Sequence, residues 1–157
     1  MAREIDIVPA FTILLRECFE GRPQGQDFTW FVEGKEGIFD ALSSTTAEQA
    51  SAKPSPECSS IAAHATHVLF ALQFGNSFIG GPKVEGDWES SWHKQAATSE
   101  EWQQLAIAIR REYEFFLNWF ETSFPDREVE PAMFAGVLGT LPHMAYHLGA
   151  IRQLMKL

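Results

Sequence analysis

The sequence is poor in cysteine. Only Cys18 and Cys58 occur, far apart and in no CxxC pair, which argues against a secreted disulfide framework and against a thiolate zinc knuckle. We expect both side chains to be buried free thiols, the usual state of an unpaired cysteine.

The sequence is also short of basic charge and of long hydrophobic runs. Lys and Arg number 12 against 21 Asp and Glu, for a net charge of −9, which argues against nucleic-acid or anionic-membrane partners bound through a broad basic surface. No apolar run approaches the roughly 20 residues that span a bilayer, and residues 1–6 carry no apolar signal core. The expectation is a cytoplasmic protein.

What the sequence does have is a large supply of aromatic side chains. Hydrophobic residues make up 45% of the 157 residues and aromatic residues 13%, with thirteen Phe and five Trp. A chain of this length buries an ordinary core in one unit. We therefore predict a single domain over residues 1–157.

The first half of the chain predicts two principal helices with a long connection between them. Helix one has Pro9 in its first turn and ends at Gly21, and residues 21–36 are predicted as a loop. A short extra helical piece follows from residue 38, and a weak capping box from Thr45 to Glu48 would start another turn or two. Ser55 as N-cap and Pro56 as first residue then predict helix two, running to about residue 79.

The second half predicts two more helices after a polar, tryptophan-containing connection over residues 81–97. Thr98 and Glu101 form a capping box that opens helix three, which extends to about Thr122. Pro131 begins the last helix, in which Pro142 predicts a kink or a restart just ahead of the following histidine. Four principal helices and no strand pattern indicate an all-α four-helix bundle.

Two histidines four residues apart on the last helix are the main chemical signal. His143 and His147 lie on one helix face and can reach one metal ion, and His64, on the inner flank of helix two, is the candidate third ligand. His67 lies about 60° further out on the helical wheel and is expected at a groove edge, lending a hydrogen bond to a ligand or nothing. Met144 after His143 excludes the HExxH zinc-protease helix. Core histidines satisfied by hydrogen bonds remain an alternative explanation.

The combination of SSIAAHATHVLFAL at residues 59–72, DWESSW at 87–92 and HMAYHLGAIRQLM at 143–155 resembles the DinB-like (DinB/YfiT) superfamily of bacterial proteins. The resemblance implies an up-down-down-up four-helix bundle and frequent homodimers. It also implies a site for a divalent metal, nickel or zinc, held by His64, His143 and His147. The superfamily includes transferases and isomerases that use low-molecular-weight thiols.

Other residues near these patterns have two interpretations each. Glu112 falls inside the apolar stripe of helix three, where it could orient a histidine or act as a base, although an ion pair with an arginine across the bundle is the favoured interpretation. Tyr146 could donate a hydrogen bond to a metal-bound oxyanion, although packing in a helix contact is the favoured interpretation. Trp88 and Trp92, with His93, either line the mouth of a metal pocket or pin the long connection to the bundle.

Three functions are therefore expected to compete. The first is a metal-dependent enzyme, a thiol transferase or a hydrolase acting on a small molecule. The second is a metal-binding or stress-associated dimeric scaffold without turnover. The third is a small-molecule binding module that uses a tryptophan-rich pocket and needs no metal.

Overall fold

The computed structural model describes residues 7–34, 36–125 and 128–157, and over these ranges the regular structure is entirely helical. The predicted all-α class is confirmed. The prediction for residues 1–6 concerns a segment outside the described ranges. The helices are α1 (Ile7–Glu20), α2 (Ile38–Ser43), α3 (Ala47–Ser51), α4 (Ile61–Ser77), α5 (Ser99–Thr122) and α6 (Pro131–Leu154), with a short 3-10 helix at Ser90–Trp92.

The starts of α5 and α6 are where the sequence predicts them. The Thr98 hydroxyl accepts from the Glu101 backbone N–H at 3.2 Å, and the Glu101 carboxylate accepts from the Thr98 N–H at 2.8 Å. Pro131 is in the first turn of α6, where its missing N–H has no helical acceptor to lose. Capping residues act through contacts within one turn, so the sequence locates them well.

The predicted start of α4 at Pro56 is wrong, because the helix begins five residues later. Ser60 is the N-cap, and its hydroxyl accepts from the Ala63 N–H. A distant residue fixes this cap: Gln95 accepts from the Ser60 N–H at 2.9 Å through its side chain and from the Ser60 hydroxyl at 2.6 Å through its backbone carbonyl. A local pattern could not reveal that partner.

The connection between α1 and α4 contains two short helices, α2 and α3, which agrees with the predicted helical piece and the further turn or two after it. The capping box lies one residue beyond the predicted one, because Thr46 and Gln49 exchange the two capping hydrogen bonds. The buried Thr45 hydroxyl instead donates to the Ala41 carbonyl at the end of α2.

Helix α6 runs through Pro142 without interruption. The predicted restart ahead of His143 is therefore wrong, whereas a kink stays a prediction. Pro142 lies on the exposed side of the helix, where water can bind the carbonyl group that has lost its helical donor.

The four longest helices share one core. Helix α4 packs against α5, α6 and the 3-10 helix, and α1 packs against α5 and α6. Cys18 is buried in that core, as predicted, but Cys58 is exposed, so the prediction for Cys58 is wrong. Cys58 lies in the turn before α4 that the sequence assigns to the helix. Within the described residues, no helix combines the length and apolar character needed to cross a membrane.

The loop after α1 is held by a buried carboxylate. Glu17 is 1% exposed and accepts from the backbone N–H groups of Trp30, Phe31 and Val32 at 2.7, 2.7 and 2.9 Å. The loop assignment is confirmed over its described residues. Trp30 and Phe31 are themselves exposed, so the hydrogen bonds to Glu17 and the buried Val32 side chain, and not these two aromatic rings, hold this segment.

Candidate metal centre

Three histidines converge between α4 and α6. One ring nitrogen each from His67, His143 and His147 lies within 4.8 Å of the others. His67 and His147 are buried and His143 is partly buried. The two histidines of α6 have ring centroids 4.8 Å apart, one helical turn from each other. Three imidazoles this close together are close enough to hold one transition-metal ion.

The structure brings together two of the three ligands expected from the sequence. His143 and His147 are in the cluster, and the third member is His67. His64 is also buried, but its Nδ1 lies 3.0 Å from Nδ1 of His147, so it forms a hydrogen bond to a member of the cluster. The assignment of His64 as a ligand stays a prediction, and His67 is the residue of α4 that the structure groups with the α6 pair.

The helical wheel is a weak basis for choosing His64 over His67 on α4. Helix α4 is buried on most sides, with residues 61–65 all buried. A helix that is apolar all round has no well-defined inner direction on a helical wheel. His67 is distinguished by the DWESSW segment at residues 87–92, which packs against its ring.

Ser91 determines which nitrogen of His67 carries a proton. The Ser91 hydroxyl lies 2.7 Å from His67 Nδ1 and donates its single proton to the Trp88 carbonyl at 2.7 Å. His67 Nδ1 must therefore be the donor to the Ser91 oxygen, which leaves Nε2 with a free lone pair. Trp92 stacks on the same imidazole with ring centroids 4.2 Å apart. Such outer contacts fix the orientation and tautomer of metal-binding histidines.

Burial favours the neutral form of four histidines at neutral pH: His64, His67, His143 and His147. It is the largest cause of the lowered pKa of His67, about 4, and of His147, about 3, with neighbouring imidazoles lowering both further. Burial also lowers the pKa of His64 and of His143. Neutral imidazole is the form that binds metal, so the protonation state of the cluster fits zinc, nickel or a related divalent ion.

The tryptophans of the 81–97 connection lie against the histidines. The Trp88 ring centroid is 5.3 Å from that of His67 and 5.9 Å from that of His143, and Trp92 contacts His64 edge-on at 5.2 Å. Both tryptophans therefore line the cluster and hold the connection at the same time. His93 is exposed and outside the cluster.

Glu112 and Tyr146 differ from their favoured interpretations. Glu112 accepts from Arg111, its neighbour in the chain, at 3.0 Å, and its other carboxylate oxygen accepts from Asn76 at 2.9 Å. The ion pair exists, but the arginine is not across the bundle. Tyr146 is 66% exposed, so it is not packed in a helix contact, although its ring lies 5.1 Å from that of His147.

A cavity of about 510 Å³ adjoins the histidine cluster, and His143 is one of its lining residues. Comparisons of the chain with protein-family models, with curated proteins and with solved structures give no match. The function is therefore argued from the geometry of the cluster and its surroundings.

Proposed function

We propose that this chain binds one divalent transition-metal ion, nickel or zinc, through His67, His143 and His147. The observation that carries the proposal is the grouping of three neutral ring nitrogens within 4.8 Å of one another. In this assignment His64 is the hydrogen-bond partner of His147. The alternative third ligand is His64, as the family resemblance implies.

The proposal includes membership of the DinB-like superfamily, an up-down-down-up four-helix bundle made by α1, α4, α5 and α6, and a homodimer. Its support is the sequence pattern at residues 59–72, 87–92 and 143–155, together with four long helices around one core.

The proposed activity is that of a metal-dependent thiol transferase or hydrolase acting on a small molecule. A bound ion would supply a Lewis acid with coordination positions open to substrate, since the cluster found among the described residues supplies three protein ligands. The chain's own residues bind and orient: three histidines hold the ion, Ser91 fixes the His67 tautomer, and Trp88 and Trp92 keep water from one side of the cluster.

Elemental analysis of the untagged protein tests the metal site. We expect about one nickel or zinc per chain in the parent protein, and none in His67→Ala or His143→Ala. His93→Ala is the matched control, because His93 is exposed and outside the cluster, and it should retain the metal. Parent protein that takes up no metal when supplied with zinc or nickel would contradict the proposal. Loss on His64→Ala with retention on His67→Ala would make His64 the ligand.

Activity is tested separately on metal-loaded protein. Incubation with low-molecular-weight thiols and electrophiles should give adducts above the level of His143→Ala protein. A metal-bound protein without product would favour the non-catalytic dimeric scaffold. The metal-free binding module is the second candidate function, because the cavity beside His143 is lined mainly by apolar side chains.

A further inference from the structure

The cavity of about 510 Å³ continues the two helix faces that carry the histidines. On α4, Ala71 and Gly75 follow His67 at steps of four residues and line the cavity. On α6, Gly136 and Gly139 precede His143 by seven and four residues and line it from the other side. Residues at these spacings share one helix face. The histidine cluster is therefore at one end of the cavity.

Small residues on both facing helices explain why the cavity exists. Gly75, Gly136 and Gly139 have no atom within 4 Å of the position that a Cβ would occupy. Because these glycines carry no side chain, the space beside them between α4 and α6 stays open. Glycine costs helix stability, so two facing helices that place three glycines around one opening lose stability without gaining packing contacts there.

Aromatic side chains form the walls and the entrance. Phe116 is buried at the back, whereas Phe74, Phe78 and Trp88 are 37%, 67% and 43% exposed. The polar side chains among the lining residues are Thr140 and His143, and none of the described lining residues carries a formal charge. A volume of this size is within the range of small-molecule sites, about 300–1,000 Å³.

We infer that the cavity and the histidine cluster form one binding site for a mainly apolar small molecule with a single metal-binding group at its end. The apolar body fills the space between α4 and α6, and the terminal group lies beside His143. A thiol with several charged groups does not match this cavity, because its charges would lose water without gaining partners. Binding of the ligand's terminal group rests on the proposed metal site, whereas binding of its apolar body rests on the cavity alone.

Two kinds of probe test the cavity and its metal-binding end separately. N-phenyl-1-naphthylamine, a neutral fluorescent molecule without a strong metal-binding group, reports on the cavity in metal-free protein. Octanohydroxamate and acetohydroxamate share one metal-binding head and differ in the length of the apolar tail. Each methylene taken out of water strengthens binding about fourfold, so burial of three or four of the extra methylenes of octanohydroxamate should make it bind zinc-loaded protein roughly 100-fold more tightly than acetohydroxamate.

Gly136→Leu fills the cavity, and Gly149→Leu is its matched control. Both glycines are in α6 with open space at the Cβ position, but Gly149 does not line this cavity. Leucine favours a helix more than glycine does, so both variants should fold. Gly136 is two turns from His143, roughly 10 Å away, and zinc content should stay at the parent level.

The expected result is that Gly136→Leu weakens N-phenyl-1-naphthylamine and octanohydroxamate binding at least tenfold and leaves acetohydroxamate binding unchanged, whereas Gly149→Leu changes none of them. Equal binding of the naphthylamine by both variants would overturn the cavity as the site. Equal affinity of the two hydroxamates for zinc-loaded parent protein would overturn the joining of cavity and metal. Failure of the parent to bind zinc would contradict the metal site and the joined site, and the naphthylamine result would still decide the cavity.

Discussion

The Nδ1 atoms of His64 and His147 lie 3.0 Å apart in the interior. Burial lowers the pKa of both rings, which favours the neutral form of each. One Nδ1 therefore carries a proton and donates it to the lone pair of the other. If His147 binds metal through Nε2, its Nδ1 carries the proton and His64 accepts it. His64 is then a positioning residue for a ligand.

Substitutions at His64 test that role. His64→Ala should keep about one metal ion per chain and weaken metal affinity about 10–100-fold, the usual effect of removing the partner of a ligand histidine. His64→Gln, which retains an acceptor, should recover part of the loss. Competition with a metal-binding dye gives the affinities. If His64→Ala and His64→Gln weakened metal affinity equally, hydrogen-bond acceptance by the side chain at position 64 would not explain the loss.

Ser91 is expected to act on His67 in the same way. Ser91→Ala removes the oxygen that accepts the His67 Nδ1 proton, so metal affinity should fall about tenfold or more. Ser91→Thr retains a hydroxyl and is the matched variant, expected near the parent value. The NMR chemical shifts of the His67 ring nitrogens in metal-free protein check the tautomer directly: protonated Nδ1 in the parent, and a mixture of tautomers in Ser91→Ala.

Glu17 should contribute strongly to stability at neutral pH. Glu17→Gln puts a neutral amide, which is itself a donor, among three backbone donors, and should lower the free energy of unfolding by about 2–3 kcal/mol. Urea denaturation measures the change. Glu114→Gln, an exposed change of the same type on α5, should lie within about 0.5 kcal/mol of the parent.

The Glu17 effect should depend on pH in a defined direction. Burial alone would raise the pKa of Glu17, but hydrogen bonds from the Val32, Phe31 and Trp30 amides outweigh it and hold the pKa below its ordinary value of 4.5. A carboxylate with a depressed pKa stabilises the folded state above 4.5 and loses that contribution as pH falls through the folded-state pKa. The difference between parent and Glu17→Gln should therefore shrink below pH 4.5, and a constant difference down to pH 3 would contradict this account.

The contact between Asn76 and Glu112 is expected to be structural. Asn76 Nδ2 donates to both the backbone carbonyl and the side chain of Glu112 at 2.9 Å, joining the end of α4 to α5. Asn76→Ala should lower the free energy of unfolding by about 2 kcal/mol because it leaves buried acceptors unpaired. Asn118→Ala, exposed on α5, is the control. Metal content should be unchanged in both of these variants and in Glu112→Gln. Loss of metal in Glu112→Gln would instead show that Glu112 contributes to the metal site.

The sequence by itself determined the helical class, the starts of α5 and α6, and the pairing of His143 with His147, because helix periodicity and capping act over three or four residues. It missed the start of α4, which depends on a contact between Ser60 and Gln95, 35 residues apart. It also favoured His64 over His67 as the third ligand, whereas the structure groups His67 with the α6 pair. That difference arises where Ser91 and Trp92 of a distant connection fold over His67 and where His147 meets His64. Contacts between residues far apart in the chain decide which ring nitrogen is free, and only the tertiary structure supplies them.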